Sequence, residues 1–205
     1  MLNLDPKDKV QYTPEEEQAI AALIANPEAK KGRELWDEKG PEDIFFGLKE
    51  KIRRHYLTIQ RVRCVYCEAI LERGSADIEH FAPKSKHIPF LYEPLNLTCS
   101  CPICNGVSKK GKRNTIDGKA VMPYENNTFK YVHPFLDDVD KEIKYRDPFK
   151  ILFDRKRCTD KGNLTIDMFN WDTAQCKRKR IANLLYWTTD SGRRKMIADI
   201  LRHKG

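Results

Sequence analysis

Two Cys-x-x-Cys pairs, Cys64–Cys67 and Cys101–Cys104, constrain this chain more than anything else in it. Zinc takes four thiolates in a tetrahedron with bonds of about 2.3 Å, and a two-residue spacer lets one turn present two of them. The two turns, 34 residues apart, therefore predict one closed site that staples the stretch between them. A closed site leaves no coordination position open, so this zinc is read as structural. Its task would be to hold a region too poor in apolar residues to fold alone. Cys99 could replace Cys101 as a ligand, but Cys99 to Cys104 is a wider loop. Cys101 and Cys104 are preferred, with Cys99 packed nearby. Cys158 and Cys176 lie far off and read as small buried hydrophobes.

A disulfide framework is not expected. The N-terminus lacks the apolar stretch of a secretory signal, and no apolar run of ~18 residues could span a membrane. The expectation is a soluble, cytoplasmic protein. With 38 Lys+Arg against 30 Asp+Glu the formal net charge is +8. Such a surface concentrates polyanions, and serves equally as ordinary solvation.

The chain of 205 residues divides into three zones: a helical region over 1–60, the metal-bearing core over 61–115 and a mainly helical region over 116–205. Thr13-Pro14-Glu15-Glu16 is a helix start, followed by Ile20, Leu23 and Ile24 and ended by Asn26-Pro27. A second helix begins near Pro41, with Ile44, Phe45, Leu48, Ile52 and Tyr56 on one face. Arg63 to Cys67 reads as a turn between short strands, and Asp77 to Phe81 as a strand. Pro83, Pro89 and Pro94 break regular structure beyond that strand. Pro102 starts a helix that carries Asn105, Val107 and the lysines after them. Gly162 to Ile166 reads as a turn into a strand. Asp172-Thr-Ala-Gln175 caps a helix through Ile181, Leu184, Leu185 and Trp187, and a last helix uses Met196, Ile197, Ile200 and Leu201. The fold class is α+β, mostly helical.

Between the cysteine pairs lie Asp77, Glu79, His80 and Asn96, and Asn105 comes directly after the last cysteine. A carboxylate can hold a divalent ion, a neutral imidazole can deprotonate water, and an amide oxygen is a neutral ligand for Mg²⁺. Glu79 and His80 are neighbours, so a strand would send them to opposite sides unless it bends. Asp77 shares a strand face with Glu79 and could support the metal. Asn96 could brace the loop carrying His80 or orient its ring. His87 is a candidate supporting residue, His133 a structural turn residue, and His55 and His203 surface residues.

The order Glu79-His80, Asn96 and then Asn105 nine positions later, with the two cysteine pairs flanking the motif, resembles the HNH endonuclease family in its zinc-braced ββα-metal form. The resemblance implies a small ββα-metal core with N- and C-terminal helices around it. It implies His80 as general base, Glu79 and Asn105 as ligands of a catalytic Mg²⁺ or Mn²⁺, and Asn96 as structural. Asn105 stands where many members have His, and Glu79 where Asp is commoner. Which of Glu79 and Asp77 supplies the metal carboxylate stays open. Ile78-Glu-His-Phe-Ala-Pro-Lys84, Asn96-Leu97, Cys101 to Lys109, His133 to Asp138 and Gly162 to Ile166 are also similar to the HNH subunit of Septu-type and retron-associated anti-phage systems. There the nuclease works beside an ATPase partner.

Lys84, Lys86, Lys109, Lys110, Lys112 and Arg113 flank the motif and could neutralise DNA phosphates. Lys177 to Arg180 and Arg193 to Lys195 could be helix faces, DNA contacts or a docking surface. Cutting both strands calls for two active sites, which a homodimer would supply. The competing reading is a non-catalytic zinc module that binds nucleic acid or protein; a third is a nuclease held inactive until a partner releases it.

Overall fold

The first helix shows how locally the sequence sets its ends. In α1 (Pro14–Ala25) the Thr13 hydroxyl accepts from the Glu16 amide at 3.3 Å, while the Glu16 carboxylate accepts from the Thr13 amide at 2.8 Å. This reciprocal capping satisfies two donors that a helix start would otherwise strand. The computed structural model describes residues 1–25, 32–37, 44–71 and 76–187. The expected helix boundaries at Asn26-Pro27 and Pro41, the final helix at Met196 to Leu201, the Arg193 to Lys195 run and His203 lie outside these residues.

Helix α2 (Gly32–Trp36) is short, and α3 (Ile44–Ile59) is the long support of the core. The 3.6-residue spacing of Phe45, Leu48, Ile52 and Tyr56 puts all four on the buried face of α3. That face packs on a two-stranded antiparallel sheet of β1 (Asp77–His80) and β2 (Leu97–Ser100). The register pairs Asp77 with Ser100, Ile78 with Cys99, Glu79 with Thr98 and His80 with Leu97. All four residues of β2 are buried. A strand covered on both faces shows no alternation, so β2 did not stand out in the sequence. The described residues are thus mostly helical around one small sheet, the expected α+β class.

Two expectations are corrected. Helix α4 (Pro102–Asn105) stops at Gly106, whose backbone turns extended, so Val107 and the lysines beyond it are not helical. Residues 162–166 form no strand; they lie inside α6 (Asp160–Met168). Thr159 caps that helix by accepting from Gly162, and Gly162 packs so closely on the Glu142 carbonyl at the end of α5 (Val139–Glu142) that a Cβ would lie 2.1 Å from it. Capping and close approach outweigh the strand bias of Thr165 and Ile166. The segment Asp172 to Gln175 caps α7 (Ala174–Trp187) as expected, with the Thr173 hydroxyl accepting from the Cys176 amide, and Ile181 on this helix is exposed.

Candidate active site and four-cysteine centre

The tight turn at residues 64–67 and the first turn of α4 bring Cys64, Cys67, Cys101 and Cys104 together, their sulfurs all within 4.8 Å of one another. The Cys67 and Cys101 sulfurs are 3.8 Å apart. That separation matches the edge, about 3.8 Å, of a tetrahedron with zinc–sulfur bonds of about 2.3 Å. The Cys101 amide donates to the Cys64 sulfur and the Cys104 amide to the Cys101 sulfur, both contacts that favour thiolates. Hydrogen bonds from Cys104, Cys64 and Cys67 hold the Cys101 thiol well below its ordinary value, whereas burial pushes Cys64 up. Four thiolates this close repel unless a cation sits among them, so the set fits a zinc ion. Cys99 stands apart, with its sulfur on the Arg53 carbonyl and its thiol pushed up to about 12 by burial. Gln60 ties the first turn to β2: its amide donates to the Arg63 and Cys99 carbonyls and accepts from the Cys99 amide.

Strand β1 divides the other candidates between its two sides, as alternation requires. On one side Asp77 accepts from the Asn105 amide at 3.0 Å, and both residues are half-buried. Glu79, further along the same side, is only 1% exposed. Its carboxylate meets the Lys110 ammonium at 2.5 Å and the Tyr66 hydroxyl at 3.2 Å. Burial raises the Glu79 carboxyl, and Lys110 opposes the rise. Lys110 also donates to the His80 carbonyl, and at 2% exposure it faces inward rather than toward a phosphate. A buried ion pair is stable only with both partners; removing either strands a charge.

On the other side His80 is 4% exposed. Its Nε2 lies 2.9 Å from the Leu91 carbonyl oxygen. A carbonyl only accepts, so the ring proton sits on Nε2 and the lone pair on Nδ1. Burial first, then the nearby Lys84 and Lys110 charges, hold the ring well below its ordinary value and therefore neutral. Trp36 packs edge-on against it with ring centroids 4.5 Å apart.

Asn96 is the hub of the loop after His80. Its oxygen accepts from the Ala82 amide at 2.6 Å and the Tyr124 hydroxyl at 2.9 Å, and its nitrogen donates to the Ala82 and Phe90 carbonyls. Behind Tyr124 stands fully buried His133, with Nε2 3.0 Å from the tyrosine oxygen. Its Nδ1 accepts from the Phe135 and Leu136 amides. The chain of bonds needs a neutral ring, and burial holds His133 well below its ordinary value.

This depressed ring makes acid destabilising. Unfolded His133 would take a proton below about pH 6.5 and the folded ring would not, so acid favours unfolding. Its contribution is complete above that pH and is lost on acidification toward the folded value. We expect a His133 slope of up to about 1.4 kcal/mol per pH unit. The raised carboxyls of Glu79 and Glu93 act in the opposite sense. The measurement is therefore the difference in unfolding free energy between this chain and His133→Gln from pH 7.5 to 5. A constant difference would show that His133 titrates alike in both states.

The basic residues separate. Lys86, Lys112 and Arg113 are exposed beside the motif. Lys84 lies over the Trp36 ring at 5.0 Å, and Lys109 donates to the Phe169 carbonyl at 2.6 Å. Of the other histidines, His87 meets the Asn114 side chain at 2.7 Å and His55 the Asp8 carbonyl at 2.6 Å. Trp36, Tyr66, Gln60 and Tyr124 were not singled out in the sequence. Tyr66 carried one signal, its place inside the first cysteine turn; the others meet the site through long-range contacts that no local pattern announces.

No family model matches the chain. It is similar to the Septu protein PtuB of Bacillus thuringiensis, 30% identical over 89 residues. The match takes in 42% of this chain and 34% of that protein, so the chain spans about a third of the length of the curated relative it resembles. No described helix is long and apolar enough to cross a membrane.

Proposed function

We propose that this chain is a metal-dependent endonuclease of the HNH type that hydrolyses DNA phosphodiester bonds within an anti-phage system of the Septu kind, beside an ATPase partner. The observation that carries the reading is the state of His80: a neutral ring, its Nε2 proton fixed by Leu91 and its Nδ1 lone pair available as a base. The likeness to a Septu protein supports the biological setting.

Asp77 and Asn105 offer oxygens of the kind that Mg²⁺ or Mn²⁺ prefers, at a half-buried edge next to the zinc staple. Such an ion supplies positive charge for the scissile phosphate and the leaving 3′ oxygen. Glu79 joins this ligand set only if Lys110 leaves it, since the ammonium already neutralises the carboxylate. His80 Nδ1 takes the proton of the attacking water. Asn96 keeps the His80 loop in place through its bonds to Ala82 and Phe90. Lys86, Lys112 and Arg113 are exposed, and in this reading they meet phosphates on either side of the cut.

Two observations favour a nuclease held inactive in isolation. Lys110 occupies Glu79, and Trp36 covers the His80 ring. Plasmid cleavage with Mn²⁺ or Mg²⁺, with and without EDTA, tests the proposal, on the chain alone and with its partner. We expect nicked or linear DNA with the ion and none in EDTA. A zinc-loaded, folded chain that cuts under neither condition would be the non-catalytic zinc module.

A further inference from the structure

The two strands place four oxygen-bearing side chains on one side of the sheet. The register sets Ser100 opposite Asp77 and Thr98 opposite Glu79. Residues directly opposite in an antiparallel pair project from the same side, with Cβ atoms about 4.5–5.5 Å apart. Asp77 and Glu79 both have partners there: Asn105 for the first, Lys110 and Tyr66 for the second. The two hydroxyls do not. Thr98 Oγ1 and Ser100 Oγ are buried without a hydrogen-bond partner among the described residues. The two residues are 1% and 0% exposed.

A buried hydroxyl without a partner destabilises the fold that holds it. Two of them, each opposite a carboxylate, point to a second arrangement of this face in which both are used. The present partners identify that arrangement. Asn105 gives Asp77 its amide nitrogen, whereas holding an ion takes the amide oxygen. Lys110 gives Glu79 its ammonium, whereas a carboxylate that turns to an ion must release it. In both cases the carboxylate loses a donor as it becomes a ligand. In both cases a hydroxyl able to donate stands opposite it. Carboxylates that hold a metal are kept in orientation by hydrogen bonds of this kind. The four strand side chains offer only oxygen, which suits a hard cation, and the half-buried Asp77 and Asn105 open the face to solvent.

We propose that Ser100 and Thr98 are positioning residues for a hard divalent cation on this side of the sheet. Ser100 donates to Asp77, and Thr98 to Glu79, once the ion has displaced their present partners. These roles rest on the nuclease reading's assignment of Asp77 and Asn105 to the metal, and not on the cleavage step. They give each hydroxyl opposite effects in the two arrangements: it destabilises the ion-free chain and strengthens ion binding.

The test uses the zinc-loaded full chain and its variants Ser100→Ala, Thr98→Val and the two combined. Mn²⁺ binding is read by calorimetry and by loss of the free-ion paramagnetic resonance signal, and stability by thermal unfolding without Mn²⁺. Each variant should keep its zinc and melt no lower than the parent. Thr98→Val should melt about 2–4 °C higher, because the hydroxyl it removes has no partner among the described residues. Mn²⁺ affinity should nevertheless fall about 10–100-fold in the combined variant, the usual effect of removing groups that orient a metal ligand. Thr98→Ser, which keeps the hydroxyl, should bind Mn²⁺ as the parent does. Parent-like Mn²⁺ affinity in the combined variant overturns the proposal. So does a lower melting temperature in the ion-free variants, which would make the hydroxyls ordinary structural groups. Asp77→Asn separates the two possible failures. If it loses Mn²⁺ while the combined variant does not, the positioning role alone is wrong. If the parent chain binds no Mn²⁺ to millimolar concentration, the metal assignment falls and the positioning role falls with it.

Discussion

Cys104→Ser is expected to release zinc and unfold the core of this chain. Cys104 is buried, and its sulfur is one of four that lie within 4.8 Å of one another. A structural zinc contributes about 10–16 kcal/mol of apparent binding free energy, which in such sites is folding free energy. A whole domain is stable by about 5–15 kcal/mol, so losing the ion removes an amount comparable to the total. The damage is not local. Val65 joins the turn to β2 and to the N-terminal residues: the Leu2 amide donates to the Val65 carbonyl, and the Val65 amide to that of Cys99. β2 in turn pairs with the strand that carries Asp77, Glu79 and His80. Zinc content measured by mass spectrometry and near-ultraviolet circular dichroism should therefore fall together in the variant, and in the parent chain on chelation. Cys99→Ser, at a buried residue outside the cluster, should keep full zinc. A Cys104→Ser chain with full zinc and native dichroism would remove Cys104 from the ligand set.

The cysteine centre was legible because its information is local: a two-residue spacer is a turn, and two such turns make a tetrahedron. α3 was legible for a similar reason, since a long periodic face has one sensible use. Lys110 was not. Lysine is almost always exposed, and only a buried carboxylate 31 positions earlier pulls this one inward, a contact without any sequence period. Trp36 illustrates the same limit, because it reaches His80 on β1 from α2, more than 40 positions earlier. The strand expected at 162–166 failed because residue preference was weighed without the cap at Thr159 and the close approach at Gly162. The candidates for chemistry were named by order along the chain. The division of Glu79 and His80 onto opposite sides of β1 came from strand geometry, whereas the ammonium on Glu79 did not.

His80→Gln is expected to lower cleavage by about 10²–10⁴-fold, the usual contribution of a positioned general base. Glutamine is the informative replacement because the ring is buried. His80→Ala would remove the edge-on contact with Trp36 and leave the Leu91 carbonyl without its donor, destabilising the fold by about 1–4 kcal/mol. Most of the alanine variant would still be folded at a domain stability of about 5–15 kcal/mol, yet its lost activity would mix two causes. Glutamine can keep a donor for Leu91 and much of the volume, but its amide has no basic nitrogen to take the place of Nδ1. Zinc content and melting temperature should thus stay near those of the parent while cleavage falls. Asn96→Asp offers the contrast. It loses the amide hydrogens given to Ala82 and Phe90 and should lower stability and activity together. If His80→Gln cuts DNA at the parent rate, proton abstraction lies elsewhere. The half-buried Asp77 is then the next side chain to consider, because Glu79 is tied up by Lys110.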